Sequence, residues 1–389
     1  MTGNGILFTI FLVFSGAAVV ATLALFARQS LLVAYVVLGV VMGPAVLGLV
    51  SDPALIRELS HIGIIFLLFL LGLNLNPRDL VLMVRKTTLV TLASSLVFGG
   101  FGAAVALLFG LGMLDALMVG AASMFSSTII GLKLLPTSVM HHQRTGEIII
   151  SILLMQDLIA IVLLLLIQGV GEAGLPLASI ALLLLKFPLL VVLAFLVTRF
   201  VLLPLLRRFD RIQEYIFLLA IGWCIGLAEL ASWFGLSAEI GAFIAGIALA
   251  TSPIALFISE SLKPLRDFFL ILFFFSLGAG FDLAVLPEVI WPALVLGAGA
   301  LVGKPAVFRW LLVRTGESDR RSREIGFRLG QFSEFSLLIA VVAVSAGTCS
   351  SEASYLIQLS TLLSFLASSY LVVARFQTPI ALKDELRLD

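Results

Sequence analysis

The sequence predicts an all-α polytopic membrane protein, and three observations carry that reading. Hydrophobic residues make up 61% of the 389 and charged residues 12%, about half the charged share of a soluble domain. Apolar runs long enough to cross a bilayer as helices recur from end to end. Within hydrocarbon, a helix satisfies every backbone N–H and C=O inside its own segment, so runs of this length read as spanning helices. The formal net charge of +1 points to no nucleic acid and no acidic partner. Cys224 and Cys349 fit neither a metal spacing nor a disulfide framework. No phosphate-binding loop, zinc-protease motif or nucleophile elbow is present. The expectation is a protein that is not an enzyme and carries no cofactor.

About thirteen spans are expected, at roughly 5–26, 31–50, 57–75, 86–110, 113–135, 146–168, 177–206, 212–232, 237–253, 265–283, 288–313, 325–347 and 353–375. Basic residues between them set the orientation. Arg28 follows the first span, Arg78, Arg85 and Lys86 the third, and Lys133 and Arg144 the fifth. Arg199, Arg207, Arg208 and Arg211 surround the end of the seventh, Lys263 and Arg266 follow the ninth, and Arg314, Arg320, Arg321 and Arg323 the eleventh. The alternate connections carry only Arg57. Because basic loops stay cytoplasmic, the N-terminus is expected outside and the C-terminus inside, ending in a short tail over residues 377–389. The first span lacks a basic leader and a cleavage site, so it reads as a retained helix.

An internal repeat is visible. Phe69-Leu70-Leu71-Gly72-Leu73-Asn74-Leu75 in the third span resembles Phe275-Ser276-Leu277-Gly278-Ala279-Gly280-Phe281 in the tenth. Phe125-Ser126-Ser127 in the fifth resembles Phe332-Ser333-Glu334 in the twelfth, at nearly the same offset. An odd number of spans separates the partners, so the two copies lie in opposite orientations. This pattern belongs to inverted-repeat transporters, which bind substrate at midplane between the repeats.

The sixth span carries Gln156 and Asp157 at its centre. With a rise of about 1.5 Å per residue from Gly146, Asp157 lies roughly 16 Å into the bilayer. A carboxylate there costs ~3 kcal/mol on insertion scales, which makes an ion or proton site the default reading. The plainer alternative is a structural pairing with another helix. The fifth and twelfth spans hold polar clusters at similar depth, Ser126-Ser127-Thr128 and Gly330-Gln331-Phe332-Ser333-Glu334. Such clusters suit interrupted helices whose freed carbonyls, hydroxyls and half-helix ends meet an ion, although Ser and Thr also bond back to their own helix. Lys304, near the middle of the eleventh span, needs a counter-charge, and Asp157 is the expected partner. Glu334 is expected either to face a cytoplasmic funnel or to pair with a basic residue such as Arg328.

The remaining polar residues read as structural. His141 and His142 suit a solvated loop, His61 an interface, and Glu229 and Glu239 an outward-facing surface. Trp223, Trp233, Trp291 and Trp310 are expected near span ends, where indoles anchor helices. Gly43-Pro44, Gly241 and Gly246 read as close packing or kinks, and Lys186 as a snorkelling cation.

Together Gly43-Pro44, Phe125-Ser126-Ser127-Thr128, Met155-Gln156-Asp157, Ser237 to Gly246, Lys304 and Gly330 to Phe335 resemble the membrane domain of the Kef-type potassium/proton antiporters, within the monovalent cation:proton antiporter superfamily. The resemblance implies thirteen helices and two crossed, discontinuous helices at the fifth and twelfth spans. It also implies a homodimer in the bacterial inner membrane. The dimerisation scaffold would occupy roughly 5–75 and 212–283, and the ion-translocation core roughly 86–168 and 288–375, within a domain over 1–376. By the same resemblance Asp157 carries the cation and the proton, with Gln156 beside it. Lys304, Ser126, Ser127, Thr128, Gln331, Ser333 and Glu334 then surround the ion. Gln-Asp points to potassium, whereas relatives with Asn-Asp or Asp-Asp mostly exchange sodium. The nucleotide-binding regulatory domain of full-length Kef proteins has no counterpart in residues 377–389, so glutathione and nucleotide gating are not carried over. The expectation is potassium/proton exchange by alternating access. The runners-up are a sodium/proton antiporter, a cation channel, for which no carbonyl-filter sequence is present, and an ion-sensing membrane scaffold.

Overall fold

The structure is a computed structural model that describes all residues except 1–5, 28, 30, 51–52, 75–76, 129–143, 172–176, 210, 237 and 377–389. Lys133, His141, His142 and the C-terminal tail therefore lie outside the described residues, as does the second half of the fifth span. The described residues are helical, with no strand among them. In chain order the helices are α1 (Ile6–Phe26), α2 (Leu31–Met42), α3 (Pro53–Asn74), α4 (Pro77–Leu108), α5 (Met113–Ser123), α6 (Arg144–Gly171) and α7 (Leu177–Val197). A π turn at Thr198–Leu202 and a further helical segment, Leu203–Arg208, continue α7. There follow α8 (Gln213–Trp233), α9 (Ala238–Ala250), α10 (Ala255–Ala279), α11 (Leu286–Arg314), α12 (Asp319–Arg328), α13 (Glu334–Ser345) and α14 (Ser351–Arg375).

Among the described residues, seven stretches are long and apolar enough to cross a membrane: Leu7–Phe26, Thr87–Leu108, Arg144–Leu164, Lys186–Arg208, Gln213–Trp233, Leu283–Arg314 and Ser351–Arg375. The other apolar helices are shorter, among them Met113–Ser123 and Glu334–Ser345. The shortness of α5 and α13 reflects the polar clusters, where hydroxyls offer the backbone partners other than the next turn. α10 begins earlier than its expected span, at Ala255, and its first half carries the ion pairs Lys263–Glu260 and Arg266–Asp267. α4 begins earlier than expected, at Pro77, a residue suited to a first helical turn because its missing N–H is not needed there.

The chain divides into two contact-dense units. The first comprises residues 1–18, 35–82 and 172–280. Its helices approach through glycines. A methyl group on Gly72 of α3 would overlap the carbonyl oxygen of Phe243 in α9, and one on Gly246 would overlap that of Phe69. The same reciprocal contact joins Gly39 of α2 to Phe275 of α10, and Gly278 to Val36. Small residues let backbones meet where the bilayer offers no hydrophobic drive between helices. Glu239, expected on an outward surface, is instead buried and bonded to His61 at 2.9 Å. Trp223 lies mid-helix and donates to the carbonyl of Ala245 at 3.1 Å, so it ties α8 to α9 rather than anchoring a span end.

The second unit comprises residues 19–34, 83–171 and 281–389. An apolar core from α4, α6, α11 and α12 holds it, with Val90, Phe98, Ile149, Ile152, Phe308 and Leu329 at its centre. Phe98 and Phe308 meet edge-on at 5.4 Å. This packing fixes the face of α6 below Gln156 and the face of α11 around Lys304. α14 brings a buried hydroxyl-rich face, including Ser360, Thr361, Ser364 and Ser368, against the same region.

Candidate ion-binding site

Two helix interruptions build the site. α5 ends at Ser123, and Met124 to Ser127 leave the helical path before Thr128. α12 ends at Arg328, and α13 starts at Glu334 after a non-helical connection. The breaks touch. Ser126 Oγ donates to the carbonyl of Leu329 at 2.9 Å, and Ser336 Oγ donates to that of Ala122 at 2.6 Å. Ser333 caps α13, accepting from the Phe335 N–H at 3.1 Å, and its own N–H donates to Ser336 Oγ at 3.2 Å. Ser364 of α14 accepts from the Phe332 N–H at 3.0 Å.

Gln156 is fully buried. Its side-chain oxygen accepts from the Ser126 N–H at 3.0 Å, and its amide donates to the carbonyl of Met124 at 3.2 Å. Both ends of the amide therefore shape the first break. Gln331 does the same for the second: its amide donates to Arg328's carbonyl, and its oxygen accepts from Ser368, each at 2.9 Å.

Lys304 overturns one expectation. Its buried ammonium donates to the carbonyl of Phe125 and, at 3.2 Å, to that of Gln331. It sits between the rings of Phe98 and Phe332, 5.1 and 5.0 Å from their centroids, a geometry in which the ring faces attract a cation. It makes no ion pair with Asp157. The lysine joins one break to the other through carbonyls that the interruptions themselves release. An apolar cavity of about 300 Å3 between α4 and α11 reaches it, past Phe98, Phe101 and Ser123.

Asp157 is 2% exposed, and its Oδ2 has no hydrogen-bond partner. Glu334, the first residue of α13, is 6% exposed and lies within electrostatic range of Asp157. Thr128 donates to its Oε1, while its Oε2 is unpartnered. The expected pairing of Glu334 with Arg328 is absent, since Arg328 turns to Glu324 at 2.9 Å. Buried carboxylate oxygens without donors are costly, and a bound cation or a proton is what would satisfy them. Ser127 is buried in the first break. Among the described residues no cluster of three His, Cys, Asp or Glu side chains suits a metal ion, so an oxygen shell here would draw on hydroxyls and carbonyls besides the two carboxylates. The polar cluster of the twelfth span extends to Ser336, whereas Ser364 is not singled out by the sequence reading. Ser364 stands at the same offset from Asp157 as Phe332 from Phe125, a signal available from the repeat.

A family model for the sodium/hydrogen exchanger, transmembrane, matches residues 11–374. The chain belongs to this exchanger family. The glutathione-regulated potassium-efflux system protein KefC of Enterobacter sp. (strain 638) is 29% identical over 366 residues, which are 92% of this chain and 58% of KefC. The putative K(+) efflux antiporter KefB of Alkalimonas amylolytica is 30% identical over 347 residues, 87% of this chain and 52% of KefB. The iron transporter MagA of Paramagnetospirillum magneticum is 29% identical over 88% of this chain and 79% of MagA. The chain thus spans little more than half the length of its Kef relatives. Its fold is that of the sodium proton antiporter MjNhaP1 from Methanocaldococcus jannaschii, with a TM-score of 0.63 at 16% identity over 93% of this chain and 94% of that one. The chain is a polytopic membrane protein whose relatives are transporters and antiporters.

Proposed function

We propose that this exchanger swaps potassium for protons by alternating access around Asp157. The observation that carries the reading is a carboxylate buried at mid-helix with an unpartnered oxygen, while the neighbouring ammonium of Lys304 is held by carbonyls. Deprotonated Asp157 takes the cation, and protonation releases it, so the two ions compete for one position. The free oxygen of Glu334 and the hydroxyls of Ser126, Ser127, Thr128 and Ser333 supply the remaining oxygen ligands. Gln156 and Gln331 hold the two breaks in the shape that presents them. On this reading Lys304, bonded to the carbonyls of Phe125 and Gln331, serves the architecture rather than neutralising the empty carboxylate.

The two interrupted segments are proposed to cross, as half-helices do in inverted-repeat transporters. The Asp157-bearing unit is proposed to carry the ion across in an elevator-like step, and the first unit to form a homodimer in a bacterial inner membrane with the C-terminus cytoplasmic. The division of the chain into two contact-dense units supports that assignment. In proteoliposomes, Asp157→Asn is expected to abolish pH-dependent cation exchange; substantial residual exchange overturns the proposal. Sodium is the second reading, favoured by the family to which the chain belongs. Lithium, sodium and potassium assayed side by side separate the two, and a sodium preference over potassium rejects the first.

A further inference from the structure

Along α11, on either side of Lys304 from Val302 to Arg309, runs a basic cavity that the exchange reading does not use. It measures about 600 Å3 and is lined by Val302, Ala306, Arg309, Arg323, Phe327 and Arg375, among others. Arg309 donates its Nε–H to Asp319 at 2.6 Å. Arg323 and Arg375 are exposed, and neither has a carboxylate within ion-pair distance among the described residues. The Arg375 guanidinium lies over the Phe327 ring, 5.0 Å from its centroid, which holds it in place without neutralising it. Among the described residues, three guanidinium groups therefore line one cavity against a single neighbouring carboxylate, and an anion is the ligand that such an arrangement recognises.

The other end of the cavity is apolar and faces outward: Val302 is 74% exposed. From Val302 to Arg309 along α11 is about 10 Å at helical rise, and α11 ends at Arg314. The cavity thus runs from hydrocarbon depth to the interface, where arginine head groups reach phosphates. A free phosphate would engage the arginine end alone, whereas a phospholipid would fill both. We propose that this cavity binds an anionic phospholipid, with Arg323 and Arg375 on its phosphate and the Val302–Ala306 stretch along an acyl chain. Gly326 of α12 packs against the backbone of Pro305, beside Lys304, so the lipid secures α11, α12 and α14 at the end nearest the second helix break. The inference stands independently of which cation is exchanged.

The test uses the full chain purified in neutral detergent. Phosphatidylglycerol is expected to raise the melting temperature by several degrees over phosphatidylcholine. The double variant Arg323→Gln/Arg375→Gln should lose that shift, and Arg207→Gln/Arg208→Gln, in the other unit, should keep it. Val302→Trp, which narrows the apolar end, should weaken it. Glycerol phosphate, the soluble headgroup, should give little. Equal stabilisation by phosphatidylcholine overturns the proposal, as does a full shift with glycerol phosphate, which would mean a soluble-phosphate site. Retention of the shift in the arginine double variant overturns it too. Should that variant fail to fold in neutral lipid, Arg375→Gln alone carries the comparison.

Discussion

At the scale of single residues, Lys304 decides how the site holds together. Its ammonium satisfies the carbonyls of Phe125 and Gln331, so Lys304→Met leaves both buried and unpaired. At roughly 1–3 kcal/mol for each such group, the variant is expected to melt well below the parent in detergent. If Lys304 were instead the counter-ion of Asp157, adding Asp157→Asn would rescue it; here the double variant should melt no higher than Lys304→Met. Gln156→Ala should act similarly but more weakly, since two hydrogen bonds of the first break are lost. Asp157 and Lys304 are conspicuous in the sequence because an ionisable residue is rare inside an apolar run. Their partners were not legible. The groups that hold the lysine are main-chain carbonyls, which every residue possesses and which become available only once the helices are interrupted. The pairing of Arg328 with Glu324 rather than Glu334 follows from helical spacing of four residues, a signal that depth alone could not outweigh.

At the scale of helices, the glycine contacts of the first unit make the sharpest prediction. Gly278→Val places a side chain against the backbone of Val36, and Gly246→Val one against that of Phe69. Neither obstacle is a flexible side chain, so each variant is expected to cost at least the ~1–3 kcal/mol of an overpacked core, read as a lowered melting temperature. Gly222→Ala in α8 meets nothing within 4 Å and should be neutral or gain up to ~1 kcal/mol from helix propensity. The repeated glycine-bearing segments were readable as a repeat, and Gly246 as a close-packing residue. What was not readable is that Gly72 meets α9 and Gly278 meets α2, because sequence similarity relates copies and does not say which copy each one touches. The broken helices were readable from Ser126 to Thr128 and from Gln331 to Glu334, whereas the early start of α4 was not, since its charged first turn, with Arg78 and Asp79, reads equally well as a loop.

For the whole molecule, surface charge sets a pH limit apart from the buried site. Arg144 donates to Glu317 at 2.6 Å, and Arg321 donates to its other oxygen at 2.7 Å. The two guanidinium groups, Arg144 first, hold the Glu317 carboxyl below its usual value of 4.5. A lowered carboxylate value means that the stabilisation is present above about 4.5 and is lost as pH falls through the lower folded-state value. Thermal stability should therefore drop in acid below that point, and Glu317→Gln should flatten the drop while melting lower at neutral pH. Transport has its own whole-molecule signature. If Asp157 carries either one cation or one proton while Lys304 keeps its charge throughout, each exchange moves no net charge. Flux in proteoliposomes should then be indifferent to an imposed membrane potential; a rate that tracks the potential contradicts this.

The lysine's engagement with two carbonyls has one more consequence. On the proposed reading Asp157 is a ferry that does not cross empty, because its unladen carboxylate would stay buried without a partner while the ammonium of Lys304 is engaged by carbonyls. On that reading every return trip takes a passenger, and the gradient on one side drains only by filling the gradient on the other.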